Sequence, residues 1–461
     1  MRIGLLIPQF PSQTHIAMWR VGNAMRELGA EVRVLSTRRP EADERCHKVL
    51  EDESRSTFYA WPPRPLPLAG GLGRSLPRTL HAARYYSGLR ESTRKERLRL
   101  TPLLVSAWHL RAWAARNRIE HIFVHSCANA AHLVALCHEL GGPTYSLRLG
   151  GDIEIYGKDQ QSKMRRASFI LAAARVNVDQ IREQVGLPDQ RLMWSWLGVD
   201  TRRFRPVDSA AHSMDQPRTE PFHAVSVGRL HVAKGHEHAL RAMKRLVEDG
   251  HELRYTIGGS GPHEQFLRDL VRNLGLGDRV DFVGALDQQQ VLATLQTADL
   301  FLLPSVGRGE ASPVAVIEAM ACGVPVIASI IGGTRDMVTD GVDGFLVPMG
   351  DEDAIVDRWR TLVTDADLHQ KFSRAARHRA VTSFDCRQVA KKVLDRIVRE
   401  IGSDWRPADP AGLPDAEPAI QTSDTTRSGA EKALSAPRPE ARRQDPDEER
   451  DLTSLPGTAA G

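Results

Sequence analysis

The chain has 461 residues, of which 41% are hydrophobic and 26% are charged. This length suffices for two domains of ordinary size with additional segments, and the composition is typical of a globular protein. The net charge of +4 is modest and no recognition motif for nucleic acid is present, which disfavours a nucleic-acid partner.

We expect a cytoplasmic protein without a membrane span. Residues 1–8 are too short for a signal peptide and predict a buried strand instead. No run of 18 apolar residues occurs, so no spanning helix is predicted. The five cysteines show no CxxC or metal-type spacing, which indicates reduced thiols.

Strand-like and helix-like segments alternate through residues 1–200. A strand is predicted at 2–8, an amphipathic helix at 16–28 ends at Gly29, and a second strand follows at 31–36. After a Pro-rich stretch at 61–77, the pattern predicts helices at 98–116 and 128–140 and strands at 121–125, 145–149, 169–173 and 191–197. Such alternation builds a parallel, doubly wound sheet, so this half is predicted to form a Rossmann-like domain.

A basic region lies inside this first half. Residues 74–118 contain eleven Arg or Lys and only two Glu. Large apolar and aromatic side chains are interleaved with the cations: Leu76, Leu80, Tyr85, Tyr86, Leu89, Leu98, Leu100, Trp108 and Trp113. A basic amphipathic segment of this kind either lies on an anionic membrane surface or forms the solvated face of a helix, and the sequence leaves both interpretations open.

The second half repeats the alternation after a break. Residues 201–221 lose the periodicity and gain Pro, Asp and Ser, which predicts a linker before a second Rossmann-like domain at 222–383. The predicted strands of this domain are 224–227, 253–257, 280–283, 300–303 and 324–328, and its clearest helices are 236–248 and 264–274. Residues 402–461 are rich in Pro, Ala, Ser and Thr and poor in large apolar residues, so they are predicted to be disordered.

Glu310 and Glu318 bracket the most informative segment of the chain. Ser312 is a favourable N-cap and Pro313 a favourable first helical residue, and Gly323 is a favourable helix end. The two carboxylates would then stand about 12 Å apart along a helix axis. Because a helix N-terminus attracts anions, a sugar nucleotide fits this layout, although glutamates on helices are more often solvated surface residues.

Two cations follow the predicted strand 224–227. Arg229 and Lys234, flanked by Gly228 and Gly235, would point into the crevice at the carboxyl end of the second sheet. They could neutralise a diphosphate there, or form a solvated pair.

Two glycine-rich turns follow other strands of this half. The turn 258–262 resembles a phosphate-binding loop, but it lacks the GxGxxG spacing and an acidic ribose ligand, so a tight turn lining the crevice is predicted. The turn Gly332-Gly333 could approach a ligand closely or serve only as a turn.

Taken in order, these motifs resemble the retaining glycosyltransferases of family 4, also called group 1. The matching residues are Gly228-Arg229…Lys234-Gly235, Gly258-Gly259-Ser260-Gly261-Pro262, Glu310-x7-Glu318-Ala-Met-Ala-Cys-Gly323-Val-Pro325, Gly332-Gly333 and Gly341…Gly344. The resemblance is specific over residues 222–384 and loose over 1–200. Residues 10–14 are similar to the first-strand loop of exopolysaccharide-type members.

This resemblance implies a GT-B fold, in which two Rossmann-like domains face each other across a cleft. The second domain would bind a UDP- or GDP-sugar without metal or another cofactor, and the segment 384–400 would be a helix that returns to the first domain. The implied activity is a hexosyltransferase-type reaction with retention of configuration, onto a lipid-linked glycan or polysaccharide precursor.

The resemblance also implies roles for individual residues. Glu318 would bind the ribose hydroxyls of the nucleotide, and Arg229 and Lys234 would hold the diphosphate. Glu310 would hold the donor sugar and support the transition state. The remaining donor-binding positions are Ser312 and Val314, whose amides would extend the anion site, Gly284 near the base, and Gly259 in the crevice.

This chain departs from the family pattern in the first domain. Many relatives carry a histidine where Leu149 stands here. Either Arg148 or Asp152 would take over its catalytic contact with the donor sugar, or the sugar differs and both residues are structural. Asp336 stands where many relatives have glutamate.

Other functions remain open at this point. A sugar-nucleotide epimerase or a phosphorylase on the same fold would also need a nucleotide or phosphate site. A non-catalytic scaffold that binds sugar nucleotides is the third candidate, and the intact cations and glutamates disfavour it. A nicotinamide oxidoreductase is disfavoured by the incomplete glycine fingerprint.

Overall fold

The computed structural model describes residues 1–11, 15–40, 51–62, 76–207, 220–307 and 310–409. These residues lie within one compact unit, Met1–Pro414, which contains two parallel sheets. Several predicted features fall wholly or largely outside the described residues: the loop 12–14, most of the Pro-rich stretch 61–77, the central part of the linker 201–221, and the tail from 410 onward.

The first sheet has seven described strands, all parallel, in the order β3-β2-β1-β4-β5-β6-β7. They are β1 (Arg2–Leu6), β2 (Glu31–Ser36), β3 (Phe58–Tyr59), β4 (His121–Val124), β5 (Thr144–Leu149), β6 (Ile170–Ala172) and β7 (Leu192–Trp194). The strand order reverses between β1 and β4, and the crevice at such a switch point is where parallel sheets bind ligands.

The helices of this half are α1 (Ile16–Glu27), α2 (Glu51–Ser56), α3 (Leu76–Ser87), α4 (Arg94–Arg116), α5 (Asn129–Glu139), α6 (Gln160–Met164) and α7 (Arg175–Val185). Helix α4 begins four residues before the predicted start at Leu98. The cause is a capping box, in which the Thr93 hydroxyl accepts from the Glu96 amide and the Glu96 carboxylate accepts from the Thr93 amide.

The second sheet has six described strands, all parallel, in the order β10-β9-β8-β11-β12-β13. They are β8 (Phe222–Val227), β9 (Leu253–Gly258), β10 (Val280–Gly284), β11 (Leu300–Leu303), β12 (Val326–Ser329) and β13 (Gly344–Val347). The order reverses between β8 and β11, so this sheet also has a switch point. The predicted fold class, two doubly wound α/β sheets, is confirmed.

The helices of the second half are α8 (His236–Glu248), α9 (Glu264–Asn273), α10 (Gln288–Gln296), α11 (Val314–Ala321), α12 (Thr334–Met337), α13 (Glu352–Thr364), α14 (Ala366–Arg379) and α15 (Cys386–Ile401). Helix α8 has the predicted bounds, because Ala239, Leu240, Met243 and Leu246 form a buried stripe at helical spacing.

The start of α11 differs from the prediction. The helix begins at Val314, and Pro313 rather than Ser312 occupies the N-cap position, with an extended backbone (ψ 107°). The Ser312 hydroxyl therefore makes no capping bond and has no hydrogen-bond partner among the residues that the structure describes. The helix ends as expected, with Gly323 in the left-handed conformation at φ 73°.

The two sheets share a hydrophobic core. Val21 of α1, Val393 of α15 and Ile317 of α11 belong to one continuous cluster of buried side chains. Helix α15 also packs against α1. The domain boundaries assigned from the sequence stay a prediction.

Candidate active site

Lys234 lies at the end of β8 in a position that glycine geometry fixes. It ends a 3₁₀ turn, Val232–Lys234, and is followed by Gly235 at φ 62°. A Cβ on Gly235 would lie 2.2 Å from the carbonyl oxygen of Pro304, so only glycine lets the turn approach the strand β11 loop this closely. The close approach brings the Lys234 ammonium to Glu310.

Glu310 is a buried carboxylate with two partners. Its Oε1 forms an ion pair with the Lys234 ammonium and accepts from the Ser305 hydroxyl at 3.1 Å, and the residue is 8% exposed. Its backbone is held from the other side, because the Gly333 amide donates to its carbonyl oxygen at 3.3 Å. A Cβ on Gly332 would lie 2.1 Å from that oxygen, so the Gly332-Gly333 turn supports the backbone of Glu310.

The N-terminus of α11 follows directly. Ser312 is 7% exposed and its hydroxyl lacks a partner, while Val314 at the helix start is partly exposed. An unsatisfied buried hydroxyl beside a helix N-terminus is suited to an anionic ligand.

Glu318 contacts the first half of the chain. Its Oε1 lies 2.5 Å from Nη1 of Arg20, which belongs to α1, and both side chains are buried. The Arg20 guanidinium also lies over the Phe204 ring, with Cζ 4.9 Å from the ring centroid. Glu318, which the sequence predicts to bind the nucleotide, is therefore paired with Arg20 on a helix that belongs to the first half of the chain.

The glycine-rich turn after β9 packs on the loop after β8. The Gly259 amide donates to the carbonyl oxygen of Gly284 at 2.7 Å. Gly259 has φ 146°, and a Cβ there would lie 1.7 Å from the carbonyl oxygen of Gly228. Gly284 has φ 71° and open space around it, and Arg229 is exposed. These residues gather at the carboxyl ends of β8, β9 and β10.

The first-domain candidates have different environments. Arg148 is completely buried, and its Nη2 donates to the carbonyl oxygen of Ser195 at 3.0 Å. Burial lowers the pKa of Arg148 to about 10. Leu149 is also completely buried, and Asp152 is partly exposed at the start of a 3₁₀ turn. All three lie at or just after the carboxyl end of β5.

Two histidines lie at the same edge of the first sheet. His125 follows β4 and His15 precedes α1, and their ring centroids are 5.6 Å apart in a T-shaped arrangement. Burial lowers the pKa of His15 to about 4 and holds the pKa of His125 well below 6.5. Both imidazoles are therefore neutral at pH 7.

The sequence did not reveal Arg20 or Ser305 as candidates. Arg20 did leave a signal, because it lies on the apolar face of α1 among Ala17, Val21 and Ala24, where a charged residue needs a buried partner. Ser305 left none, since its contact with Glu310 depends on the loop that follows β11.

No group of three or more His, Cys, Asp or Glu side chains suited to a metal ion occurs in the described parts of the chain. Within the same residues, no helix is long and apolar enough to cross a bilayer.

Residues 211–379 match the family described as glycosyl transferases group 1. The match identifies these residues, a little over a third of the chain, as a group 1 glycosyltransferase domain. The predicted family resemblance and the prediction of a glycosyltransferase are confirmed.

Curated relatives extend this similarity beyond the domain. A putative colanic acid biosynthesis glycosyltransferase of Escherichia coli is 33% identical over 251 residues, which cover 53% of this chain and 60% of the relative. Its counterpart in Salmonella typhimurium is 26% identical over 421 residues, which cover 86% of this chain and 99% of the relative. The amylovoran biosynthesis glycosyltransferase of Erwinia amylovora is 34% identical over 176 residues, 37% of this chain and 42% of that protein.

Solved structures show the same fold. Anabaena HepE in complex with UDP matches with a TM-score of 0.66 and 17% identity, over 86% of this chain and 99% of HepE. A sucrose-phosphate synthase of Thermosynechococcus elongatus matches with a TM-score of 0.65 and 19% identity, over 87% of this chain and 99% of that protein. The group 1 glycosyltransferase domain thus belongs to a chain with the GT-B fold.

Proposed function

We propose that the chain transfers a sugar from a nucleoside diphosphate donor to a glycan acceptor, with retention of configuration. The observation that carries this proposal is the ion pair of the partly exposed Lys234 with the buried Glu310 beside the N-terminus of α11, with Glu318 two turns further along the same segment. In this proposal Glu310 faces the sugar, Lys234 and the α11 N-terminus face the diphosphate, and Glu318 faces the ribose. A sugar nucleotide carries its three parts in this order.

In this proposal two cations and a helix N-terminus form the diphosphate site. The Lys234 ammonium and the exposed Arg229 guanidinium would bind the phosphate oxygens, and the α11 N-terminus with the Ser312 hydroxyl would add donors. Charge that develops on the leaving diphosphate is stabilised by such preorganised donors.

Glu310 acts near the sugar in this proposal. Because Lys234 neutralises its charge and Ser305 holds one oxygen, the carboxylate is fixed rather than mobile. It would orient the donor sugar while the leaving diphosphate takes the acceptor proton on the face from which it departs, which retains the configuration. Arg148 and Asp152 stay candidates for the first-domain side of this site, with Asp152 the more accessible of the two.

The polysaccharide assignment rests on relatives. The colanic acid and amylovoran glycosyltransferases support a polysaccharide precursor or lipid-linked glycan as acceptor. HepE in complex with UDP and with UDP-glucose supports a uridine donor. The first property to measure is whether the chain uses a UDP-sugar or a GDP-sugar as donor.

A donor panel tests this function. Release of UDP or GDP is followed for the wild type, Glu310→Gln and Glu318→Gln, with a lipid extract as acceptor. We expect Glu310→Gln to lower kcat about 100-fold or more with little change in KM, because it removes transition-state support. We expect Glu318→Gln to raise the KM for the donor about tenfold, because it weakens ribose binding.

Glu264→Gln is the matched control, since Glu264 lies on the outer helix α9 and pairs only with Arg268 among the described contacts. Full activity of both site variants would contradict the site assignment. Sugar processing without any acceptor would favour an epimerase, a requirement for free phosphate would favour a phosphorylase, and absence of donor binding would favour a scaffold.

We also propose that α3 and α4 hold the enzyme against an anionic membrane surface. Leu80, Leu98 and Val105 are 60%, 72% and 44% exposed. Five cations in or between the same two helices are also exposed: Arg84, Arg90, Arg94, Lys95 and Arg99. Apolar burial and attraction of about 1 kcal/mol per cation together favour such a surface.

Part of this basic region has another role. Tyr85 and Leu89 are buried, and Trp113 stacks on Phe58 with ring centroids 4.9 Å apart. Only the exposed set is therefore available to lipid.

Sedimentation with vesicles tests the membrane proposal. The wild type should associate with vesicles that contain phosphatidylglycerol, and association should fall between 0.1 and 0.5 M salt as the charges are screened. The double variant Leu98→Gln/Arg99→Gln should associate less, and Arg254→Gln, an exposed change on the second sheet, should not. Equal association with neutral phosphatidylcholine vesicles would contradict it.

A further inference from the structure

Arg20 is the buried charged residue of α1, and the proposed reaction leaves it without a role. It is 5% exposed, its Nε has no hydrogen-bond partner within the described part of the chain, and its Nη1 contacts Glu318. Burying a guanidinium is costly unless a specific partner compensates it, so its placement on the apolar face of α1 needs a reason.

The partner is a carboxylate of the other sheet. Glu318 lies on α11 and is 6% exposed, so neither member of the pair is a surface ion. The Phe204 ring packs on the guanidinium plane and restricts its movement. The ion pair is thus short and buried, and the Arg20 guanidinium is held between Glu318 and the Phe204 ring.

The chemistry of the carboxylate allows a second ligand. An ionised carboxylate offers about four acceptor sites on two oxygens, and Arg20 contacts Oε1. A vicinal diol such as that of ribose can still donate to the remaining acceptor sites. A guanidinium at Oε1 would fix the orientation of the carboxylate toward that diol.

We propose that Arg20 is a positioning residue for ribose recognition: it orients Glu318 from the first domain, so that tight nucleotide binding requires contact between the two domains. This inference rests on the proposed function, in which Glu318 binds ribose. Arg20 itself touches the carboxylate and not the ligand.

Ribose discrimination is the readout that a purely structural role would not change. Isothermal titration gives Kd for UDP and for 2′-deoxy-UDP, or for the corresponding guanosine pair if GDP is the nucleotide that binds. We expect the wild type to prefer the ribonucleotide about tenfold. In Arg20→Met this preference should fall to about two- to threefold, and in Glu318→Gln it should disappear.

A double variant and a conservative one complete the design. The double variant Arg20→Met/Glu318→Gln should show the same lack of ribonucleotide preference as Glu318→Gln alone, because Arg20 acts only through Glu318. Arg20→Lys should restore part of the preference and guards against a methionine variant that fails to fold. Arg26→Met on the same helix is the matched control, since Arg26 pairs with Glu53 of the first domain and should leave the preference unchanged.

The outcomes separate this inference from the proposed function. If Glu318→Gln keeps the wild-type preference, or if the wild type binds neither UDP nor GDP, the ribose role of Glu318 fails and Arg20 has nothing to position. If Glu318→Gln loses the preference while Arg20→Met and Arg20→Lys keep it, only the inference about Arg20 is overturned. Tighter UDP binding by Arg20→Met would also overturn it, because Arg20 would then compete with the nucleotide.

Discussion

At the scale of single residues, the crevice of the second sheet depends on close contact between the backbones of two loops, those that follow β8 and β9. Gly259 is the extreme case, because a Cβ would lie 1.7 Å from the Gly228 carbonyl oxygen and φ is 146°. Gly259→Ala should therefore move the loop after β8, lower the free energy of unfolding by about 2 kcal/mol or more, and weaken UDP binding. Urea unfolding and calorimetric titration measure the two effects.

Gly277→Ala is the control for that substitution. It has open space around its Cβ position and no left-handed backbone, so its free energy of unfolding should change by less than about 0.5 kcal/mol. If Gly259→Ala behaved like Gly277→Ala, the close approach of the two loops would not be a feature of the folded protein.

Single residues also show where sequence reasoning ends. Lys234 and Glu310 were both candidates from the sequence, but their direct ion pair depends on the packing of two loops that are 76 positions apart. Arg20 was not a candidate, because its partner lies on the other sheet and no local pattern specifies a contact of that kind. The identity of polar residues at strand ends was predictable, whereas their pairing was not.

At the scale of elements, helix starts depend on capping more than on periodicity. Helix α4 begins at Arg94 because Thr93 and Glu96 cap it, and the Lys158 ammonium donates to the Glu96 carboxylate at 2.8 Å. The hydrogen bond from Lys158, followed by those from Thr93, lowers the pKa of Glu96 to about 2. The stabilisation is therefore fully present above the ordinary carboxyl pKa and is lost as pH falls from about 4.5 toward 2.

Glu96→Gln should reveal this dependence. The variant should have a lower urea midpoint than the wild type at pH 6. The gap should narrow at pH 3.5, because the carboxyl of Glu96 takes up a proton there in the unfolded chain while it stays ionised in the folded protein. Glu264→Gln removes another helical carboxylate that pairs with an arginine and serves as the comparison. A gap that stays constant between the two pH values would show that the charge of Glu96 does not stabilise α4.

The positions of helices and strands were more predictable from the sequence than the contacts between residues. The period of apolar residues located α8 and β11 with their observed bounds, because one face of each is buried in the core. The start of α11 was predicted wrongly, since a favourable N-cap residue followed by proline does not decide which of the two takes the capping position. Local propensity alone allows either Ser312 or Pro313 as the N-cap of α11. In the structure Pro313 is the N-cap, and the backbone of Glu310 and Ala311 packs against the Gly332-Gly333 turn.

At the scale of the whole molecule, α15 ties the second half of the chain to the first. Asp385, at its N-cap, is completely buried and accepts from the Arg387 guanidinium at 2.5 and 3.0 Å and from the Thr201 hydroxyl at 2.5 Å. Arg387 is almost completely buried as well, and Asp200 lies 3.2 Å from it. This network lies where the chain passes between the two sheets.

Asp385→Asn should destabilise the whole unit, because it leaves a buried guanidinium with two more exposed counter-charges, Asp200 at 3.2 Å and Glu27 at 3.9 Å. We expect a loss of about 3 kcal/mol, the lower end of the range for breaking a buried pair. Asp395→Asn, on the same helix, removes a half-exposed partner of Lys391 and should cost less than about 0.5 kcal/mol. Because the two sheets share one core, urea unfolding should shift as a single transition in Asp385→Asn. A second transition, with only one half destabilised, would mean that α15 does not couple the two halves.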